Sequence, residues 1–295
     1  MSINIECVIS GAPRLGEGAV WDIQDQRLWW VDITGGLIHC YDPESGQNQT
    51  FDFGEPVGSL ARRDKGGLVV SARSGFWLYD PETGQKTALS DPETHLAENR
   101  FNDGTADPAG RFWAGTMMDE KPQRQQGCFY CLEADYEVRS LDWPVYTTNG
   151  LAFSPDGSVM YFADSHMDIR KVWKAQYEAG SGTLSDIQPF FDTAGLAGRP
   201  DGATVDSDGG YWLAGVGGWQ LYRITADGVL DRVIDVPVEK PTKPMFGGAD
   251  MDILYLTSIG FGLTEGTEDR QADAGGLFAI TGLGVTGLPQ PRFAG

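Results

Sequence analysis

The chain is poor in histidine, in cysteine and in positive charge, and each shortage removes a class of function. Its three histidines, His39, His95 and His166, fall in no metal-binding or triad pattern, and no Gly-x-Ser-x-Gly elbow occurs, so covalent serine catalysis is disfavoured. Four cysteines in 295 residues make no disulfide framework. Cys128-Phe129-Tyr130-Cys131 has CxxC spacing, but residues three apart on a strand face opposite sides, and no second pair exists to complete a zinc site. Buried thiols are the expectation. With 22 basic against 42 acidic residues the net charge is −20, which argues against nucleic acid and anionic membrane as partners. No apolar run is long enough to cross a bilayer, and Met1–Glu6 lacks the basic-then-apolar pattern of a leader, so a cytoplasmic monomer or weak homo-oligomer is expected. No segment of useful length carries a 3.6-residue apolar period, which excludes a helical protein.

What the chain does have is 40 glycines and 16 prolines spread as turn punctuation through a repeated grammar. The unit is clearest in Pro200–Trp212, where a polar entry with a carboxylate leads into an apolar strand, an Asp/Gly turn and an aromatic strand. Aligned on the polar entry, the repeats start at Glu17, Val57, Asn102, Asn149, Asp201 and Lys243, at intervals of 40 to 52 residues. That period is expected of four-stranded propeller blades. Aromatic strands recur in phase, as in Leu28–Asp32, Arg111–Gly115, Met160–Asp164 and Tyr211–Ala214. Composition does not break along the chain. The sequence therefore predicts an all-β fold, a six-bladed β-propeller forming a single domain over residues 1–295. Ile3–Val8 is expected to close the ring beside Gly276–Ile280, removing the free sheet edges.

In a propeller the first strand of each blade lines the central channel, so equivalent entry positions form a ring at one mouth. Glu17, Asn102, Asn149, Asp201 and Lys243 fall on that ring. Two carboxylates and two carboxamides converging there supply an oxygen-only set suited to a hard dication such as Ca²⁺, Mg²⁺ or Mn²⁺. The plainer alternative is turn chemistry, since Asn-Gly and Asp-Gly are also ordinary turn signals. Turn chemistry, however, does not require the same phase in every unit. His166 follows an aromatic strand and reads as a surface-loop residue. Trp219 and Lys243 are further candidates for the pocket wall, with core packing the equal alternative for Trp219.

Several motifs carry a resemblance: Leu15–Asp22, Asn99-Arg100-Phe101-Asn102-Asp103-Gly104, Asp107–Met117, Thr148–Gly157 and Pro200-Asp201-Gly202. In this order they resemble the sugar lactonases of the senescence marker protein, gluconolactonase and luciferin-regenerating enzyme family, which includes regucalcin. The resemblance runs from about Ile5 to the C-terminus. It implies a six-bladed propeller with one divalent metal in the channel, with Ca, Zn, Mn, Mg and Fe all open as its identity. Carried across by motif, the metal ligands are Glu17, Asn149 and Asp201, and the substrate contacts are Arg100, Asn102 and Glu120. For Arg100 the chemistry also allows a structural salt bridge. Glu120 lies at the start of the polar, Gln-rich stretch Asp119–Gln126, which reads as a lid.

The activity so implied is hydrolysis of a sugar-acid lactone, with Asp201 both ligand and general base to a water. Two other readings stand beside it. One is metal-dependent hydrolysis of aryl esters or phosphotriesters, and the other a calcium-binding or interaction propeller without catalysis.

Overall fold

The computed structural model describes residues 2–12 and 14–295. Six four-stranded antiparallel sheets follow one another along the chain, and apart from the single 3₁₀ turn Glu268–Arg270 the described elements are all strands. The sheets are the blades of a β-propeller. Their inner strands are Gly16–Asp22, Val57–Arg62, Asn99–Ala106, Thr148–Phe153, Arg199–Val205 and Pro241–Gly247, for blades 1 to 6. Each predicted repeat start lies on one of these strands. The ring closes as the sequence predicts. Asn4–Ile9 is the outermost strand of blade 6, paired antiparallel with Leu277–Thr281.

Burial follows position in the blade. The inner strands of blades 1, 3 and 6 are buried at every residue, because both faces and the channel side are covered. The outermost strand Leu230–Asp235 of blade 5 instead alternates exposed and covered residues, as one solvated face requires. Aromatic residues of the second strands, packed on aromatic residues of the neighbouring blade, seal the joints between blades. Trp21 stacks on Tyr255 at 5.6 Å, Phe129 meets Phe162 at 5.2 Å, Tyr161 meets Tyr211 at 5.0 Å, and Trp212 meets Phe246 at 5.9 Å. Each such pair adds about 0.5–1.5 kcal/mol beyond its burial, which explains why the aromatic strand recurs in phase with the blades.

All six inner strands break register with their neighbour at the same level. The ladder shifts between Glu17 and Val20, Val57 and Ser59, Phe101 and Gly104, Asn149 and Ala152, Pro200 and Ala203, and Pro241 and Pro244. Such bulges re-aim side chains that an unbroken pleat would send alternately to opposite faces. In blades 1 and 4 the residue after the last paired position is Gly18 or Gly150, with φ of +59° and +69°, a conformation that a side chain would strain. The tail Leu283–Gly295 then crosses the far end of the channel, where the Phe293 ring is fully buried and Arg292 pairs with Asp22 at 2.6 Å.

Candidate functional site at the channel mouth

The bulges bring polar side chains of four blades to one cavity of about 200 Å³. Glu17 comes from blade 1, Arg100 and Asn102 from blade 3, Asn149 from blade 4, and Arg199 and Asp201 from blade 5. Leu15, Met117, Val216 and Ile259 supply apolar wall between them. Glu17, Arg100, Asn102, Asn149 and Asp201 are each at least nine-tenths buried.

A chain of hydrogen bonds orients the amides. Asp119 accepts from Arg100 Nε at 2.9 Å, and Arg100 Nη1 donates to Asn102 Oδ1 at 2.7 Å. Asn102 Nδ2 donates to Asn149 Oδ1 at 3.2 Å and to the Thr148 carbonyl at 2.8 Å. Asn149 Nδ2 donates to Ser165 Oγ at 2.7 Å. With its Nδ2 turned to Ser165, Asn149 keeps its oxygen on the Asn102 side, where one lone pair is free. Arg100 thus has the salt bridge that the sequence allowed, and Arg73 joins it on Asp119 at 2.5 Å. Burial raises the Asp119 carboxyl, but the Arg100 and Arg73 guanidiniums more than offset this and hold it below the ordinary range.

The two site carboxylates are placed differently. Neither Glu17 nor Asp201 has a Lys or Arg nitrogen within 4 Å among the described residues. Glu17 accepts the Gly18 amide at 3.1 Å. Burial pushes Glu17 well above the carboxylate range, with Asp201 and Asp103 adding repulsion and Lys243 and the Gly18 amide pulling the other way. Burial likewise raises Asp201 to about 8; Arg199, Lys243 and Asn149 favour its charged form while Asp103 opposes it. Two buried carboxylates whose charged forms are both disfavoured are short of positive charge, and a divalent cation is the species that would favour ionisation of both. No group of three or more His, Cys, Asp or Glu side chains is arranged to hold a metal among the described residues. The donor set that fits one here is two carboxylates and a carboxamide, Glu17, Asp201 and Asn149, all oxygen ligands suited to hard cations.

Lys243 lies one ladder position away from the ring to which its spacing assigns it. Thr242 occupies the first bulge position of blade 6, with its hydroxyl on Thr257 Oγ1 at 2.9 Å, and Lys243 the second. The second position in blade 3 is Asp103, and Lys243 Nζ binds its Oδ1 at 2.8 Å, off the cavity wall. Trp219 also lies off the cavity wall, half-buried beneath the Arg270 guanidinium, whose carbon is 5.3 Å from the ring. His166 stacks on Tyr146 at 4.1 Å and is likewise outside the cavity. Glu120 is exposed and does not line the cavity. From the same loop, Lys121 and Gln123 do. All four cysteines are free thiols, Cys40 and Cys131 buried.

Sequence reasoning missed Arg199, Lys121, Gln123 and Ser165. For Arg199 a signal existed: Arg199-x-Asp201 repeats the i, i+2 spacing of Arg100-x-Asn102 on an inner strand. The loop residues had none, because their approach to the cavity depends on how the loop folds back.

The family profile described as SMP-30/Gluconolactonase/LRE-like region matches residues 15–260. A 6-deoxy-6-sulfogluconolactonase of Pseudomonas putida is 35% identical over 302 residues, covering all of both chains. Regucalcin of Xenopus laevis is 36% identical over 299 residues, covering 100% of this chain and 99% of its own. Among solved structures, a regucalcin from Agrobacterium tumefaciens described as a calcium-binding protein superposes with a TM-score of 0.91 at 27% identity, covering 97% of this chain and 96% of its own. By profile, by full-length identity and by fold, the chain belongs to the SMP-30/gluconolactonase/LRE-like family.

Proposed function

We propose that this protein is a metal-dependent sugar lactonase that hydrolyses an aldonolactone to the free sugar acid. The observation that carries the reading is the pair of buried carboxylates, Glu17 and Asp201, facing a sugar-sized cavity without a cationic partner. Glu17, Asn149 and Asp201 would hold the cation. When bound, it supplies a Lewis acid that polarises the ester carbonyl and lowers the pKa of water.

The chain's own residues do the rest. Arg100, locked by Asp119, presents its remaining N–H donors to sugar hydroxyls or to the ester oxygen, and Asn102, whose two N–H donors are spent on Thr148 and Asn149, offers the second lone pair of its Oδ1 to a sugar hydroxyl. Leu15, Met117, Val216 and Ile259 cover the ring carbons. The ionised Asp201 carboxylate accepts a proton from the water whose oxygen attacks the carbonyl carbon. Collapse of the tetrahedral centre breaks the ring C–O bond, and the departing alkoxide takes up that proton as the new hydroxyl. The product carboxylic acid then ionises, so each turnover releases one proton to solvent.

That proton is the test. A pH-indicator assay with aldonolactones should show acid release above the spontaneous rate, abolished by chelation and restored by a divalent ion. No release above background with metal present would sink the lactonase reading. The likeness to a protein described as calcium-binding supports a non-catalytic reading. Stoichiometric Ca²⁺ binding without turnover of any lactone would decide for it.

A further inference from the structure

The cavity holds two cations that the proposed chemistry does not use. Arg199 Nη1 donates to the Ser165 carbonyl at 3.0 Å, and Lys121 Nζ donates to Gln123 Oε1 at 3.2 Å. Neither has a carboxylate within 4 Å among the described residues, whereas Arg100, the third cation on the wall, is paired with Asp119. The chain carries 42 acidic residues against 22 basic ones, so two uncompensated cations on one small cavity wall are against its general trend. Once Glu17 and Asp201 are balanced by a dication, the empty cavity is left with the charge of Arg199 and Lys121. Lys121 is placed there by its loop, which Gln123 Nε2 fastens to the Met118 carbonyl at 3.1 Å and to Thr147 Oγ1 at 3.2 Å.

Resting on the lactonase reading, we infer that the substrate carries an anionic substituent away from its ring ester, and that Arg199 and Lys121 bind it. A guanidinium held at one nitrogen still offers its remaining N–H donors in a planar fork that matches carboxylate, sulfonate or phosphate oxygens. The ammonium adds a mobile point charge from the facing loop. An acidic protein repels an anionic lactone at long range, so local positive charge at the mouth is what would admit one. The competing role for Arg199 is to favour the ionised form of Asp201, its neighbour two residues on. That role would touch every substrate equally.

The test compares kcat/KM for D-glucono-lactone with the same ring bearing a 6-sulfonate, a 6-phosphate or a 6-carboxylate. The expected result is a preference of about tenfold or more for one or more of the anionic lactones, weakening with added salt as screening requires. Arg199→Gln should lower that preference about tenfold, chiefly through KM, and Lys121→Gln, in an exposed loop where folding is not at risk, by a smaller factor. Equal kcat/KM for neutral and anionic lactones would overturn the inference. So would an Arg199→Gln variant that loses both in the same proportion, which would assign the residue to Asp201. If no lactone is turned over the lactonase reading fails, and the anion subsite is then read by thermal shift. Stabilisation by 6-phosphogluconate beyond that by gluconate, lost in Arg199→Gln, would support it, and equal shifts would overturn it.

Discussion

The two ends of the inner strands use buried carboxylates in opposite ways. At the far end Asp22, Asp107 and Asp206 are buried, each with arginine and backbone donors. Asp22 takes Arg62 and Arg292, both at 2.6 Å, and Asp206 takes Arg223 Nε, Trp212 Nε1 and the Gly210 amide at 2.7 to 2.8 Å. Asp107 takes Arg111 and Tyr177. At the mouth, Glu17 and Asp201 are equally buried, yet the nearest ammonium, that of Lys243, is bound to Asp103. The pKa values move accordingly. Burial raises Asp22, but Arg292 and Arg62 more than reverse this and hold it low, while Glu17, on the same strand, is driven up. One strand thus ends in a satisfied structural carboxylate and begins with one that has no cationic contact among the described residues. The far end also encloses an apolar cavity of about 360 Å³ beneath the C-terminal tail, lined by Leu151, Val205, Met245, Leu288 and Pro289, where no comparable charge is exposed.

The contrast predicts that function and stability separate along the strand. Asp201→Ala and Glu17→Ala should abolish both metal binding and turnover, while the metal-free variants unfold at or above the temperature of the metal-free parent, since a buried carboxyl without a cationic contact is removed. Calorimetric titration and thermal melting check this, and normal metal stoichiometry in either variant would break the ligand assignment. Asp206→Ala should do the reverse. Arg223 keeps Asp231, but its Nε, Trp212 Nε1 and the Gly210 amide lose their buried acceptor, which is expected to destabilise the fold by about 3–5 kcal/mol in denaturant titration, with metal stoichiometry of the folded fraction retained.

Arg100→Ala is expected to lower kcat/KM by about 10–100-fold with metal retained, because the residue lies outside the proposed ligand set and acts on the orientation of Asn102. Loss of metal in this variant would place Arg100 among the ligands.

The last prediction concerns pH dependence. Because Asp201 is raised from 3.8 to about 8, the folded metal-free protein keeps a proton that the unfolded chain has lost. Its stability should therefore fall as pH rises from about 4 to 8. Asp22, whose folded pKa is lowered, contributes in the opposite sense, with stability present above pH 3.8 and lost as pH falls further. Melting temperatures of the metal-free protein across this range should carry the first slope, and Asp201→Asn should flatten it. Proton release on metal binding near pH 6, measured in buffers of different ionisation enthalpy, is the complementary readout.

The propeller was legible because its unit repeats. Six entries at a period near 45 residues, aromatic second strands and turns punctuated by Gly and Asp all follow from strand periodicity and turn stereochemistry, which are local properties. Part of the cavity's polar lining was legible for the same reason. Glu17, Asn102, Asn149 and Asp201 stand at one phase of the repeat, and the structure brings them to one wall together with Arg100.

The sequence by itself determined the number of blades, the closure of the ring by its two ends and the phase at which polar residues meet the axis. Only the tertiary structure decided which of those residues share the cavity. The bulges count residues differently from the repeat, so Lys243 drops beside Asp103 and leaves Glu17 and Asp201 without a cation in direct contact. The Asp119–Gln126 loop folds back so that Asp119 locks Arg100 and Lys121 joins Arg199 on the cavity wall, while Glu120 is exposed and does not line it. Both outcomes depend on contacts between residues distant in the chain, and on burial that turns an ordinary aspartate into one that holds its proton near neutrality.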